Sequence, residues 1–218
     1  MIHNPAIECM PREDMRKLQS ERLVKIVKTC YEKVPFYKKK MDELGVKPED
    51  IKSIDDISKL PFTTKTDLRD EYPFGLQAVP QSEVVRIHAS SGTTGKPVVD
   101  TYTKNDIDNW AEGVARVMAA GDVGPGDIVQ VSYGYGLFTG GLGLHYGGEK
   151  LGATVIPAST GNSERQIELI QDLNTTAVAC TPSYFIHLID VAKKMGVDLN
   201  KDTKLRTAVL GAEPWTDE

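Results

Sequence analysis

From Ile128 to Leu210 short apolar runs alternate with stretches of helical periodicity, and few folds accommodate that alternation. Ile128–Ser132, Ala153–Pro157, Thr176–Thr181 and Leu205–Leu210 read as extended. Leu142–Leu151, Ser163–Leu173 and Tyr184–Met195 read as helical. Strands joined through intervening helices imply βαβ units and a mainly parallel sheet. The runs Ala177–Cys180 and Thr207–Leu210 suit strands buried on both faces. Ser163 reads as a helix N-cap with Gln166 three residues on, the spacing of a capping box. Upstream, Asn105 or Asp106 is placed to cap a helix running to Ala120, and Asp122–Asp127 reads as a turn. The expected class is α/β.

The first 45 residues have a different texture. Leu18, Leu23, Ile26, Val27 and Cys30 recur near helical spacing, Pro35 interrupts, and Phe36–Leu44 forms a second helix ended by Gly45. Lys38-Lys39-Lys40, next to Asp42 and Glu43, reads as a solvated face. Pro-punctuated chain follows through Leu60–Lys65 and Glu71–Gly75. Residues 1–75 are therefore expected to form a helical N-terminal microdomain and connector, and 76–218 the α/β core. Val84–Ser90 and Val98–Thr103 read as strands flanking a polar loop.

The chain holds 26 basic and 31 acidic residues, a net charge of −5, which argues against a nucleic-acid partner. Three cysteines without a CxxC pair fit a reduced, cytoplasmic chain rather than a disulfide framework or a thiolate zinc site. The N-terminus lacks the apolar core of a signal peptide. Ile128–Gly148 carries no formal charge, but its glycines, Gln130, Ser132 and His145 suit a buried strand entering a loop, not a membrane span. No His, Cys, Asp or Glu cluster has metal-ligand spacing. His145 reads as a packed or surface residue, His88 and His187 as ordinary strand and helix residues. The chain stops at Glu218, where Thr216 looks like the N-cap of a new helix, and a fragment is therefore expected.

Chemistry concentrates in Ser90-Ser91-Gly92-Thr93-Thr94-Gly95-Lys96-Pro97. Glycines let backbone N–H groups approach a ligand, hydroxyls donate, and lysine adds a mobile charge, which together suit a polyphosphate. The pattern is not the P-loop of NTPases, which needs four residues between its glycines and Ser or Thr after the lysine. A strand rather than a helix follows Pro97, so the loop is expected to close a hairpin without help from a helix dipole. A generic Ser/Thr/Gly surface turn is the plain alternative.

The octapeptide resembles the phosphate-loop signature of the adenylate-forming enzymes. Ser132–Gly141, Gly211-Ala212-Glu213-Pro214-Trp215 and Leu60–Arg69 are similar to the phenylacetate–coenzyme A ligase branch of that superfamily. The resemblance implies part of the large N-terminal domain of such an enzyme. It also implies a two-step reaction, in which the carboxylate of an aryl acid attacks the α-phosphate of ATP and coenzyme A then opens the acyl-adenylate. Ser90, Ser91, Gly92, Thr93, Thr94, Gly95 and Lys96 would hold the β- and γ-phosphates, with Lys96 the charged catalytic member and Lys65 a second candidate. Gly211, Ala212, Glu213 and Pro214 would lie against the adenine, with Gly211 and Ala212 also touching the acyl group. Tyr135 and Phe138, beside glycines, suit the walls of a flat slot for an aryl ring.

The resemblance covers about Met15 to Glu218, about half of the family's usual length. The family's acidic Mg2+ ligand, ribose-binding aspartate, hinge and adenylation lysine lie further on and are absent from these 218 residues. The chain alone is expected to be inactive or nearly so. A non-catalytic nucleotide-binding module, and a ligase of the same superfamily acting on another acid, stay open as alternatives, as does a homodimer.

Overall fold

A computed structural model describes residues 1–90 and 96–214. The chain divides into two compact units, Pro5–Lys104 and Met1–Asn4 with Asn105–Glu218. The hairpin that sequence texture groups with the α/β core belongs by contact to the unit of the N-terminal helices.

In Pro5–Lys104, α1 (Pro5–Glu8), α2 (Arg12–Lys33), α3 (Pro35–Glu43) and α4 (Lys65–Asp70) precede an antiparallel pair, β1 (Val84–Ala89) and β2 (Val99–Thr103). Val34, ahead of Pro35, is extended at φ −119°, because proline's ring excludes the helical conformation from the preceding residue, and α2 ends there. Pro35 opens α3 and Gly45 closes it at φ +67°. Val27, Met41 and Ile51 form the local core with Leu23, Tyr31, Val46 and Leu60 around them. Ile26, expected on the apolar stripe, is 52% exposed, because it stands one residue off the line of Leu23 and Val27.

Lys40 also departs from expectation. Its ammonium lies 2.7 Å from Asp67 Oδ2 and 3.0 Å from the Phe62 carbonyl, tying α3 to the segment that starts α4, while Lys39 stays in solvent. Asp67 in turn closes a capping box with Thr64.

In the second unit, α5 (Lys104–Ala120), β3 (Ile128–Val131), α6 (Gly140–Leu151), β4 (Thr154–Ile156), α7 (Ser163–Asp172), β5 (Ala177–Cys180), α8 (Pro182–Lys194) and β6 (Thr207–Leu210) follow in order. The four strands are parallel in the order β4-β3-β5-β6. Side chains alternate across the pleat. Val129, Val131, Ala177 and Ala179 pack with Ala115, Met118 and Ala119 of α5 and Leu151 of α6. Ile167 and Ile170 of α7 cluster with Leu188, Val191 and Ala192 of α8, and α7 meets the opposite face where Gln130 reaches Gln166. Close approach of α5 and α6 requires Gly147, where a Cβ would stand 2.4 Å from a methyl of Val114. β5 is buried throughout, as expected, but among the described residues β6 pairs with β5 alone and leaves Ala208 exposed.

Two capping expectations change. α5 already starts at Lys104, so Asn105 and Asp106 lie inside its first turn. Asn162, at φ +45°, holds the cap position of α7 without a side-chain bond, and Ser163 is the first helical residue. Gln166 is buried instead. Its amide donates to the carbonyls of Ser159 (2.8 Å) and Gly161 (3.2 Å), and its oxygen accepts from Gln130 Nε2 (2.8 Å) and Ser132 Oγ (2.6 Å). A buried amide needs these partners, and an inward-facing side chain cannot also reach the helix end. At the amino end of the sheet, Asp127 accepts from Arg206, Thr176 Oγ1 and the Gly124 N–H, joining the starts of β3, β5 and β6.

Candidate functional site

The loop after β3 leads away toward β4, while the loop after β5 leads the other way toward β6. Between strands that diverge like this a crevice opens at the carboxyl edge, where open α/β sheets bind ligands. Tyr133, the second residue after β3, spans it. Its hydroxyl lies 2.6 Å from the carbonyl of Cys180, the last residue of β5, and 3.0 Å from that of Gly211, the first after β6. Burial pushes its pKa up, so the phenol stays protonated and donates.

The turn 211–214 is held from a second side. Glu213 accepts from the Ser183 N–H (3.0 Å) and Ser183 Oγ (2.9 Å) in the first turn of α8, which Thr181 caps. These bonds hold its carboxyl pKa below the usual range. Glu213 is thus spent on seating the turn, and what it leaves exposed is the backbone around Ala212. Ala212 sits at φ +70°, a left-handed conformation costly for a residue with a Cβ and common at ligand-binding turns. The Cys180 thiol is buried and pushed up to about 12 by desolvation and then by Glu213, so it is no nucleophile.

In the glycine loop, Tyr135 is half-buried against the sheet core, its hydroxyl 3.3 Å from His145 Nδ1. Burial pushes its phenol up to about 12. Phe138 is 56% exposed, its ring near Gly140 beside that of Tyr133. Gly141 is required where it stands, since a Cβ would come 2.6 Å from the Gly134 carbonyl oxygen and 3.2 Å from the Tyr135 ring.

In the other unit, the β1–β2 pair continues to Ser90, whose N–H donates to the Val98 carbonyl and whose Oγ accepts from the Val98 N–H, both at 2.9 Å. The two flanks of the octapeptide therefore pair as antiparallel strands up to Ser90 and Val98. Ser91, Gly92, Thr93, Thr94 and Gly95 lie outside the described residues. Lys96 is exposed, with its ammonium 5.5 Å from the centre of the Tyr72 ring. Lys65 is exposed at the first position of α4. Leu68, Glu71 and Phe74 from this segment line a cleft of about 140 Å³ with Val98 and Thr101 of the hairpin. Among the described residues no group of three His, Cys, Asp or Glu side chains is placed to hold a metal ion, and no helix is long and apolar enough to cross a membrane.

Tyr133, with Cys180, is what sequence reasoning did not single out. Its signals were its place two residues past a buried strand and its membership of the Ser132–Gly141 stretch. A larger cavity, about 730 Å³, lies elsewhere, between α8 and the amino end of β6.

The parallel α/β fold is similar to that of acyl–coenzyme A ligases of known structure. The structure of 2-hydroxyisobutyryl-CoA ligase in complex with 2-HIB-AMP and CoA matches at a TM-score of 0.88 and 32% identity, covering 94% of this chain and 45% of that one. In sequence the chain is similar to phenylacetate–coenzyme A ligases. That of Thermus thermophilus is 54% identical over 217 residues, 100% of this chain and 48% of the relative. That of Pseudomonas putida is 54% identical over 204 residues (94% and 46%), and that of Escherichia coli K12 53% over 211 residues (96% and 48%). The chain spans about half the length of these curated relatives. No protein-family model matches it.

Proposed function

We propose that this chain supplies the phosphate loop and the acyl-adenylate wall of an ATP-dependent ligase that joins phenylacetate, or a similar aryl acid, to coenzyme A. ATP supplies the activated phosphate. The residues of this chain position it and offset charge, the main contributions to transfer at phosphorus. Lys96 swings from the Tyr72 ring onto the β- and γ-phosphates, with Ser90 and the loop 91–95 donating beside it and Lys65 as a second cation. The turn 211–214 lies along the adenine and the acyl group. Tyr135 and Phe138 flank the ring of the acid. Among the described residues no cluster of acidic, His or Cys side chains fits Mg2+, and the resemblance puts its acidic ligand outside these residues.

The observation that carries this reading is the strained turn at the carboxyl edge of a parallel sheet, seated by Tyr133 after β3 and by Glu213 on the first turn of α8. The test is phenylacetate-dependent AMP formation by the full-length protein that carries these residues. Lys96→Ala, or deletion of Gly92–Gly95, is expected to lower it by about 10²-fold or more. Unchanged turnover in both variants would overturn the assignment.

The likeness to 2-hydroxyisobutyryl-CoA ligase favours a second reading in which the same chemistry acts on another carboxylic acid. A panel of aryl and short-chain acids separates the two.

A further inference from the structure

Glu149, His145 and Tyr135 form a hydrogen-bonded line that neither step of the proposed reaction uses. His145 Nε2 lies 3.1 Å from Glu149 Oε1, one turn along α6, and His145 Nδ1 lies 3.3 Å from Tyr135 Oη. The two rings meet edge to face at 89°, their centroids 5.8 Å apart, and the ring of Tyr146 adjoins His145 from within α6. An ionised carboxylate only accepts hydrogen bonds, so Nε2 must carry the hydrogen. In the neutral ring Nδ1 is then a lone pair, and the Tyr135 hydroxyl must donate to it. With its single hydrogen turned toward His145, the phenol offers only lone pairs to a neighbour.

We propose that Glu149, acting through His145, fixes Tyr135 as a hydrogen-bond acceptor toward the acyl slot, so that the site selects aryl acids whose ring is bare or carries a donor over those carrying an acceptor. This rests on the reading of Tyr135 as a wall of that slot. Glu149 and His145 are positioning residues. They act through the orientation of one hydroxyl: an acceptor on the substrate ring would be buried against lone pairs with no hydrogen to pair it, a cost that a bare ring does not carry.

Two measurements test it. In the chain itself, long-range 15N–1H NMR of the ring, assigned with His145→Phe, is expected to show His145 as the Nε2–H tautomer, with a mixture in Glu149→Ala. A dominant Nδ1–H tautomer, or no change in Glu149→Ala, overturns the proposal whatever the function. In the full-length protein, KM is compared for phenylacetates bearing a hydroxyl or a nitro group at one ring position. The nitro acid is expected to show a KM higher by about fivefold. That ratio should fall toward one in Tyr135→Phe, His145→Phe and Glu149→Ala, and return in Glu149→Gln, whose amide oxygen still accepts from Nε2. A purely structural role would raise both constants together and leave the ratio unchanged. A ratio moved by Tyr135→Phe but not by His145→Phe or Glu149→Ala overturns the relay and leaves the slot. A ratio near one in the parent, or one unmoved by Tyr135→Phe, overturns both.

Discussion

The hydroxyl of Tyr133 reaches from the end of β3 to the carbonyl of Gly211, 3.0 Å away and 78 residues later in the chain. The same hydrogen is shared with the Cys180 carbonyl at 2.6 Å, so one phenol links three strand ends at the carboxyl edge. Tyr133→Phe keeps the packed ring and removes only this link. It is expected to cost about 1 kcal/mol in urea unfolding. In the full-length protein it should raise KM for ATP more than it lowers kcat, because the turn that Gly211 begins loses its anchor.

Gln166 joins four groups from three segments, and its replacement should be far costlier than that of a surface glutamine. Gln166→Leu retains the bulk but leaves Ser132 Oγ and the Ser159 carbonyl without these partners, and leaves Gln130 Nε2 and the Gly161 carbonyl only their longer bonds to the Gln166 carbonyl and Tyr184 Oη. A loss of about 3 kcal/mol is expected from unsatisfied buried polar groups. Thermal unfolding checks it, and a change below about 0.5 kcal/mol, the surface-substitution range, would show the network to be slack.

These two residues mark the limit of what was legible in the sequence. Short apolar runs alternating with helical periodicity announce a parallel sheet because both signals are local, and the elements fall within a few residues of their expected bounds. The flanking strands of the octapeptide are equally local, and they pair as expected. Gln166 was misread because three-residue spacing serves a capping box and an inward helix face alike, and only the sheet beneath decides between them. Lys40 was misread for the same reason, since its partners Asp67 and Phe62 belong to another segment. Tyr133 could not be distinguished from its neighbours, because its role is written in backbone carbonyls 47 and 78 residues away.

The resemblance places the acidic metal ligand and the adenylation lysine beyond these 218 residues. A phosphate loop alone can hold a triphosphate but lacks the group that protonates, orients or neutralises at the reacting phosphorus. The isolated chain is expected to show no phenylacetate-dependent ATP–pyrophosphate exchange, while the full-length protein does. Robust exchange by the chain itself would assign the whole adenylation step to residues described above.

The Lys40–Asp67 tie gives the N-terminal unit a defined acid limit. Hydrogen bonds from Lys40, then from the backbone and hydroxyl of Thr64, hold the Asp67 carboxyl down to about 2. A carboxyl whose folded pKa lies below its unfolded value, about 3.9, stabilises the fold fully above the unfolded value. That contribution is lost as the pH falls toward the folded value. Asp67→Asn, which keeps the shape but not the charge, should therefore be less stable than the parent at pH 7. The gap should narrow below about pH 4 and close by about pH 2. Urea midpoints of parent and variant across that range give the curve directly. A gap independent of pH would assign the tie to the neutral hydrogen bonds of the capping box, and a gap that closes near neutrality would assign it to another group.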